Sequence, residues 1–218
     1  MLRRHALVLL LIASMALIHT LQYGVSLEFQ TRFMAVPADV VEAWQLLRSG
    51  EADLASLWPF ATLVTYAFLH AGLDHLAGNM LLFWVFGALI HQLLGWRWLL
   101  LIVGVTAAGA GITHTVMNPE SLGTLLGFSG VVYGVMGAYL GLSVRWQLPD
   151  PHVWPIARPV PPIRLVILAA AYVAIDYFAI FGGTLGETAY GAHVGGFTCG
   201  LFLTSFITPR PAQALAKR

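Results

Sequence analysis

Charge is what this sequence has least of. Asp, Glu, Lys and Arg make up 10% of its 218 residues, where an ordinary soluble domain carries roughly a quarter, so a water-facing shell around a globular core is excluded. Cysteine is nearly absent too: Cys199 stands alone, which excludes an intramolecular disulfide and any multi-cysteine metal site. No basic run exists and the formal net charge is +1, so nothing would neutralise phosphates and nucleic-acid binding is excluded as the main task. Internal repeats of useful length are missing, which argues against an inverted-repeat transporter. What is there is apolar: 58% hydrophobic residues and a mean hydropathy of +0.78. This is the composition of an integral membrane protein, and the length leaves room for about six spans of ~20 residues each.

Apolar stretches at about 5–25, 73–92, 98–116, 128–145, 164–181 and 191–208, each bounded by charge, Pro, Gly or Trp, predict six transmembrane helices in one all-α, membrane-embedded domain. The first stretch, behind Arg3 and Arg4, also has the outline of a secretory signal peptide with Ser14-Met15-Ala16 as a poor cleavage site; an uncleaved anchor is the reading adopted. With the N-terminus cytoplasmic, Arg3, Arg4, Arg97, Arg145, Arg158, Arg164, Arg210, Lys217 and Arg218 lie inside and only Arg32 and Arg48 outside, as the positive-inside rule requires. Trp96, Trp98, Trp146 and Trp154 then sit at the inner interface. Both termini are expected in the cytoplasm, with a bacterial plasma membrane as the default location. In the long outer loop, Val40, Val41, Trp44 and Leu47 recur at helical spacing opposite Asp39, Glu42, Gln45 and Arg48, which predicts a helix lying in the outer interface. Six prolines between Pro149 and Pro162 predict a stiff inner connector.

A polar or ionisable side chain inside a span is costly and is a functional candidate by default. Those here are His75 and Asn79 in the second span, Ser129 and Tyr133 in the fourth, Asp176 in the fifth and His193 in the sixth. The second, fourth and sixth spans run the same way, and His75, Ser129 and His193 all fall near their N-terminal ends, so the three share one depth just below the outer surface. His75 and Asn79 are four apart and project from one helix face, as do Ser129 and Tyr133. Gly127 and Gly130 flank Ser129, and Gly196 and Gly200 follow His193 on its own face, where missing side chains let neighbouring helices approach. A serine hydroxyl is a poor nucleophile until a base takes its proton, and His193 is the candidate base. No acidic residue occupies an obvious third position, so a Ser-His dyad is the minimal arrangement. Tyr133 is placed to stack on the imidazole. Asn79, His75 and the Ser129 backbone N–H are candidate donors to an oxyanion. His70 and His114 are read as structural hydrogen-bonders, and the role of Asp176 is left open between a polar pairing and a pocket cap.

In these motifs, Thr65-Tyr66-Ala67-Phe68-Leu69-His70, His75-Leu76-Ala77-Gly78-Asn79-Met80, Gly127-Phe128-Ser129-Gly130-Val131-Val132-Tyr133-Gly134 and Gly191-Ala192-His193-Val194-Gly195-Gly196 through Gly200, the chain resembles the rhomboid family of intramembrane serine proteases over about 65–205. The resemblance implies a six-helix core that cleaves transmembrane protein substrates within the lipid bilayer, with Ser129 as nucleophile, His193 as general base, His75 and Asn79 in the oxyanion hole, and no cofactor or metal. One departure is visible: the family's outer loop often carries a Trp-Arg pair, and the nearest candidate here is Trp58-Pro59. Substrate entry is expected beside the fifth span, with Gly182-Gly183-Thr184-Leu185-Gly186 as a cap. Two rival readings are an inactive rhomboid-like protein that binds membrane proteins, against which the presence of both Ser129 and His193 argues, and a bis-histidine cofactor protein using His70 and His114. Nothing in the sequence fixes the oligomeric state.

Overall fold

A computed structural model describes residues 5–151, 159–182 and 189–216. Within them the fold is all-helical apart from one two-residue strand pair. Six long helices correspond to the six apolar stretches: α1 (Ala6–Gln22), α5 (Leu73–Leu94), α6 (Trp96–Met117), α7 (Ser129–Arg145), α8 (Pro162–Phe181) and α9 (Tyr190–Phe206). Three short ones, α2 (Leu27–Thr31), α3 (Pro37–Ser49) and α4 (Trp58–Thr65), fill the loop after α1. By length and apolarity alone, α5, α6 and α8 are each able to cross a membrane. Helices α1, α7 and α9 are 17 residues long, or roughly 25 Å at 1.5 Å per residue, somewhat less than the ~30 Å hydrocarbon thickness.

The reason for the short α7 and α9 lies in where they sit. They form the most extensive helix pair in the molecule, with α6 packed against both and α5 closing the side of α7. Val131, Val135, Met136 and Ala138 of α7 are completely buried, so this helix meets protein rather than lipid on most of its surface. Its N-terminus starts at Ser129. The close pairing depends on glycine: a Cβ on Gly196 would strike the Gly130 carbonyl oxygen and one on Gly200 the Gly134 carbonyl oxygen, while a Cβ on Gly137 would strike the Phe197 carbonyl. Thr204 adds a hydrogen bond from α9 to the Ala138 carbonyl at 2.9 Å. The outermost helix is α8, in which only Leu165, Ala169 and Asp176 are buried.

The loop after α1 is folded onto the end of the bundle where α7 and α9 begin. Ala35 and Leu125 exchange both backbone hydrogen bonds, at 3.1 and 2.7 Å, tying it to the segment before α7. The Trp58 indole donates to the Arg32 carbonyl at 2.7 Å and packs edge-on against Phe33, while Thr65 donates to the Phe33 carbonyl at 2.9 Å. Trp58 thus anchors the loop through backbone. Helix α3 forms where the sequence places it: Pro37, Val40 and Ala43 face the protein, while Trp44 and Leu47 of the apolar stripe are exposed. At the opposite end, β1 (Trp146–Gln147) pairs antiparallel with β2 (Leu215–Ala216), and the Arg145 guanidinium donates to the Thr208 carbonyl at 3.0 Å. Arg3, Arg4, Trp154, Pro155, Arg158, Lys217, Arg218 and the expected cap from Gly183 to Gly186 lie outside the described residues.

Candidate active site

Ser129 opens α7 at a sharp turn made by Gly127. That glycine has φ +120, a region L-residues rarely enter, and a Cβ there would lie 2.5 Å from His75 Cε1. Sequence and geometry therefore require glycine twice over, for the turn and for the imidazole packed against it. Helix α7 has no side-chain cap, and the first N–H groups of any helix lack intrahelical partners. The Ser129 end of α7 consequently presents free backbone donors and the positive end of a helix dipole.

His193 stands in the first turn of α9 and is 8% exposed. Its Nε2 lies 2.8 Å from Ser129 Oγ, a hydrogen-bond separation reached because Gly130 and Gly196 allow the two helices to touch one residue from the serine and one turn from the histidine. Tyr133, one turn into α7, stacks on the His193 ring with centroids 4.2 Å apart and planes 10° from parallel. The Tyr133 hydroxyl donates to the Tyr172 carbonyl of α8 at 3.4 Å. Asn79 is buried and its amide Nδ2 has no hydrogen-bond partner among the described residues. A buried donor without a partner is uncommon in native proteins. His75 stands one turn before Asn79 on α5.

The residue that sequence reasoning left unassigned is Asp176. It is 5% exposed, and its Oδ2 lies 2.6 Å from His193 Nδ1. The available signal was its presence as the single acid in the fifth span. His70 is buried against other rings, meeting those of His19 and His75 edge-on at centroid distances of 6.4 and 5.3 Å, with the Phe68 backbone within its reach. In the turn before α5, burial first, with the neighbouring His75 and His19 adding to it, lowers the His70 ring to about 4. His114 Nδ1 is buried without a partner among the described residues. Among the described residues no group of three or more His, Cys, Asp or Glu is arranged to hold a metal ion.

Ser129, Tyr133 and His193 thus meet at one end of a helical bundle, with His75 against the turn before Ser129. The family model of the Rhomboid domain matches residues 56–210. The chain belongs to the rhomboid family. The matched region runs from just before α4 to just after α9 and contains every polar residue of the site. As a rhomboid-family chain with apolar helices long enough to span, it is an integral membrane protein. The match ends short of α1, α2 and α3, which precede it. Its Trp58 lies inside the matched region and its partner Arg32 outside, so the loop contact joins the rhomboid domain to the N-terminal segment.

Proposed function

We propose that this rhomboid is an intramembrane serine endopeptidase that hydrolyses peptide bonds in or near transmembrane segments of membrane-protein substrates. The observation that carries this reading is the 2.8 Å contact between Ser129 Oγ and His193 Nε2, within the reach a general base requires. As Oγ attacks the scissile carbonyl carbon, Nε2 takes the hydroxyl proton and the carbonyl oxygen becomes an oxyanion. Collapse of the tetrahedral species breaks the C–N bond, and the imidazolium returns its proton to the leaving amine. Water then repeats the sequence on the acyl-enzyme and frees Ser129. The oxyanion is stabilised by the uncapped N-terminus of α7, by the unpartnered Asn79 amide and by His75, preorganised donors that lose nothing to reorganisation during reaction. Because a helical substrate shields its own peptide bonds, it must unwind locally to reach Ser129. Small or helix-breaking residues near the outer end of a substrate span favour this.

The six long helices are read as six spans, with the site facing the outer side and both termini inside. The basis is the nine-to-two division of basic residues. A reporter fused after Arg218 is expected to be cytoplasmic, and one inserted near Gly183 external. Reversal of both reporters overturns the orientation.

Active-site labelling tests the chemistry. Purified wild-type protein is expected to form a covalent adduct with a serine-directed fluorophosphonate and to cleave a transmembrane substrate in liposomes, while Ser129→Ala does neither. A graded result is expected at Asn79. Loss of one oxyanion donor typically costs about 3 kcal/mol, roughly two orders of magnitude in rate, so Asn79→Ala should retain weak but measurable turnover because other donors remain. A wild-type rate for Asn79→Ala removes it from the site.

A further inference from the structure

The contact between Asp176 and His193 is hard to explain as packing. Their side chains are 7% and 10% exposed, in a protein that had almost any apolar side chain available for the purpose. A carboxylate in a membrane interior is costly unless it has a partner, and no Lys or Arg among the described residues pairs with Asp176; the His193 ring is the group against it. Helix α8 buries only two other side chains, Leu165 and Ala169, and both lie nearer its other end. The acid placed there at such cost faces His193 Nδ1 at 2.6 Å, with the Tyr133 hydroxyl beside it.

We infer that Asp176 is a positioning residue for the hydrolysis, so that the working unit is Ser129–His193–Asp176 rather than a dyad. This rests on the protease reading above. A carboxylate only accepts hydrogen bonds, so the 2.6 Å contact requires the imidazole proton on Nδ1. That leaves the Nε2 lone pair facing Ser129 Oγ, the tautomer a general base needs. As Nε2 takes the serine proton, the ring becomes a cation beside the carboxylate, which stabilises the charge without itself being protonated. Tyr133 and Asp176 hold different degrees of freedom: the stacked phenol fixes the plane of the ring, and the carboxylate fixes its rotation within that plane. Both supports reach α8, one through Asp176 and the other through the Tyr172 carbonyl that accepts from Tyr133. The base is therefore aligned only while α8 is docked on α7 and α9.

The test uses the full chain in liposomes with a transmembrane substrate, comparing wild type, Ser129→Ala, Asp176→Asn and Asp176→Glu by kcat, KM, thermal stability and rate of fluorophosphonate labelling. Asp176→Asn is expected to lower kcat by about 10² to 10⁴-fold, as loss of the orienting carboxylate does in serine hydrolases. KM and melting temperature should hardly change, labelling should slow in step with kcat, and Asp176→Glu should restore part of the rate. A merely structural Asp176 would instead lower the melting temperature together with activity and gain nothing from glutamate, which overturns the inference. So does an Asp176→Asn kcat within about threefold of an active wild type, and the protease reading then stands. If wild type shows neither Ser129-dependent cleavage nor labelling, the protease reading itself fails and takes the positioning role with it.

Discussion

Replacing Ser129 by alanine is expected to abolish proteolysis, and replacing His193 by alanine to do nearly the same, with rates falling by on the order of 10⁵-fold or more. The two effects should not add. Nucleophile and base act in a single proton transfer across the 2.8 Å hydrogen bond, so once either is gone the other has nothing to act on, and the double variant should be no slower than either single one. Residual turnover in both singles would come from the oxyanion donors and substrate binding alone. Folding should survive, since Ser129 loses one hydroxyl at the mouth of the site and the α7–α9 contact is made by glycines and Thr204. The measurement is initial cleavage rate of a transmembrane substrate by each purified variant, with melting temperature as control. Clear turnover by Ser129→Ala, or a double variant much slower than both singles, would sink the assignment of these two residues as one unit.

The long helices were readable because an apolar stretch that ends in charge, Pro, Gly or Trp marks the bounds of a helix, and three of the six, α5, α6 and α8, are long and apolar enough to cross a membrane. The stretch expected at about 98–116 is the helix Trp96–Met117, and that at about 128–145 is Ser129–Arg145. Ser129, Tyr133 and His193 could be brought together on paper because helical spacing fixes which residues share a face and span direction fixes their depth. Asp176 could not be paired in this way. Depth places it near the site end of α8, but α8 is apolar almost all round, so nothing in its pattern tells which face turns toward α9. The contact of Trp58 with Arg32 was hidden for another reason, since its acceptor is a backbone carbonyl and carbonyls leave no trace in residue type. The clustering of His19, His70 and His75 follows from packing between segments distant in sequence, which local periodicity does not encode.

The second large effect is expected from residues that touch no substrate. Gly196 and Gly200 lie directly over the carbonyl oxygens of Gly130 and Gly134, so even a single methyl group on either must push α9 away from α7. Restoring an ordinary C···O separation of roughly 3.3 Å requires a shift on the order of 1 Å. Neither side can yield by rotating a side chain, because the obstacle is main chain. The wedge at Gly196 acts on Gly130, the neighbour of Ser129, and three residues from His193, so the shift is delivered almost wholly to the Ser129–His193 hydrogen bond. A displacement of ~1 Å at a catalytic pair can cost about 10²-fold in rate. Gly196→Val and Gly200→Val should therefore yield inserted protein with collapsed turnover and slow fluorophosphonate labelling. The alanine variants should be graded, with Gly196→Ala worse than Gly200→Ala because Gly134 lies a full turn further from Ser129. Should the valine variants be too unstable to purify, the alanine pair carries the test through its ratio of activity loss to loss of melting temperature. Wild-type turnover in both Gly196→Val and Gly200→Val would mean that the α7–α9 contact is not what holds His193 on Ser129.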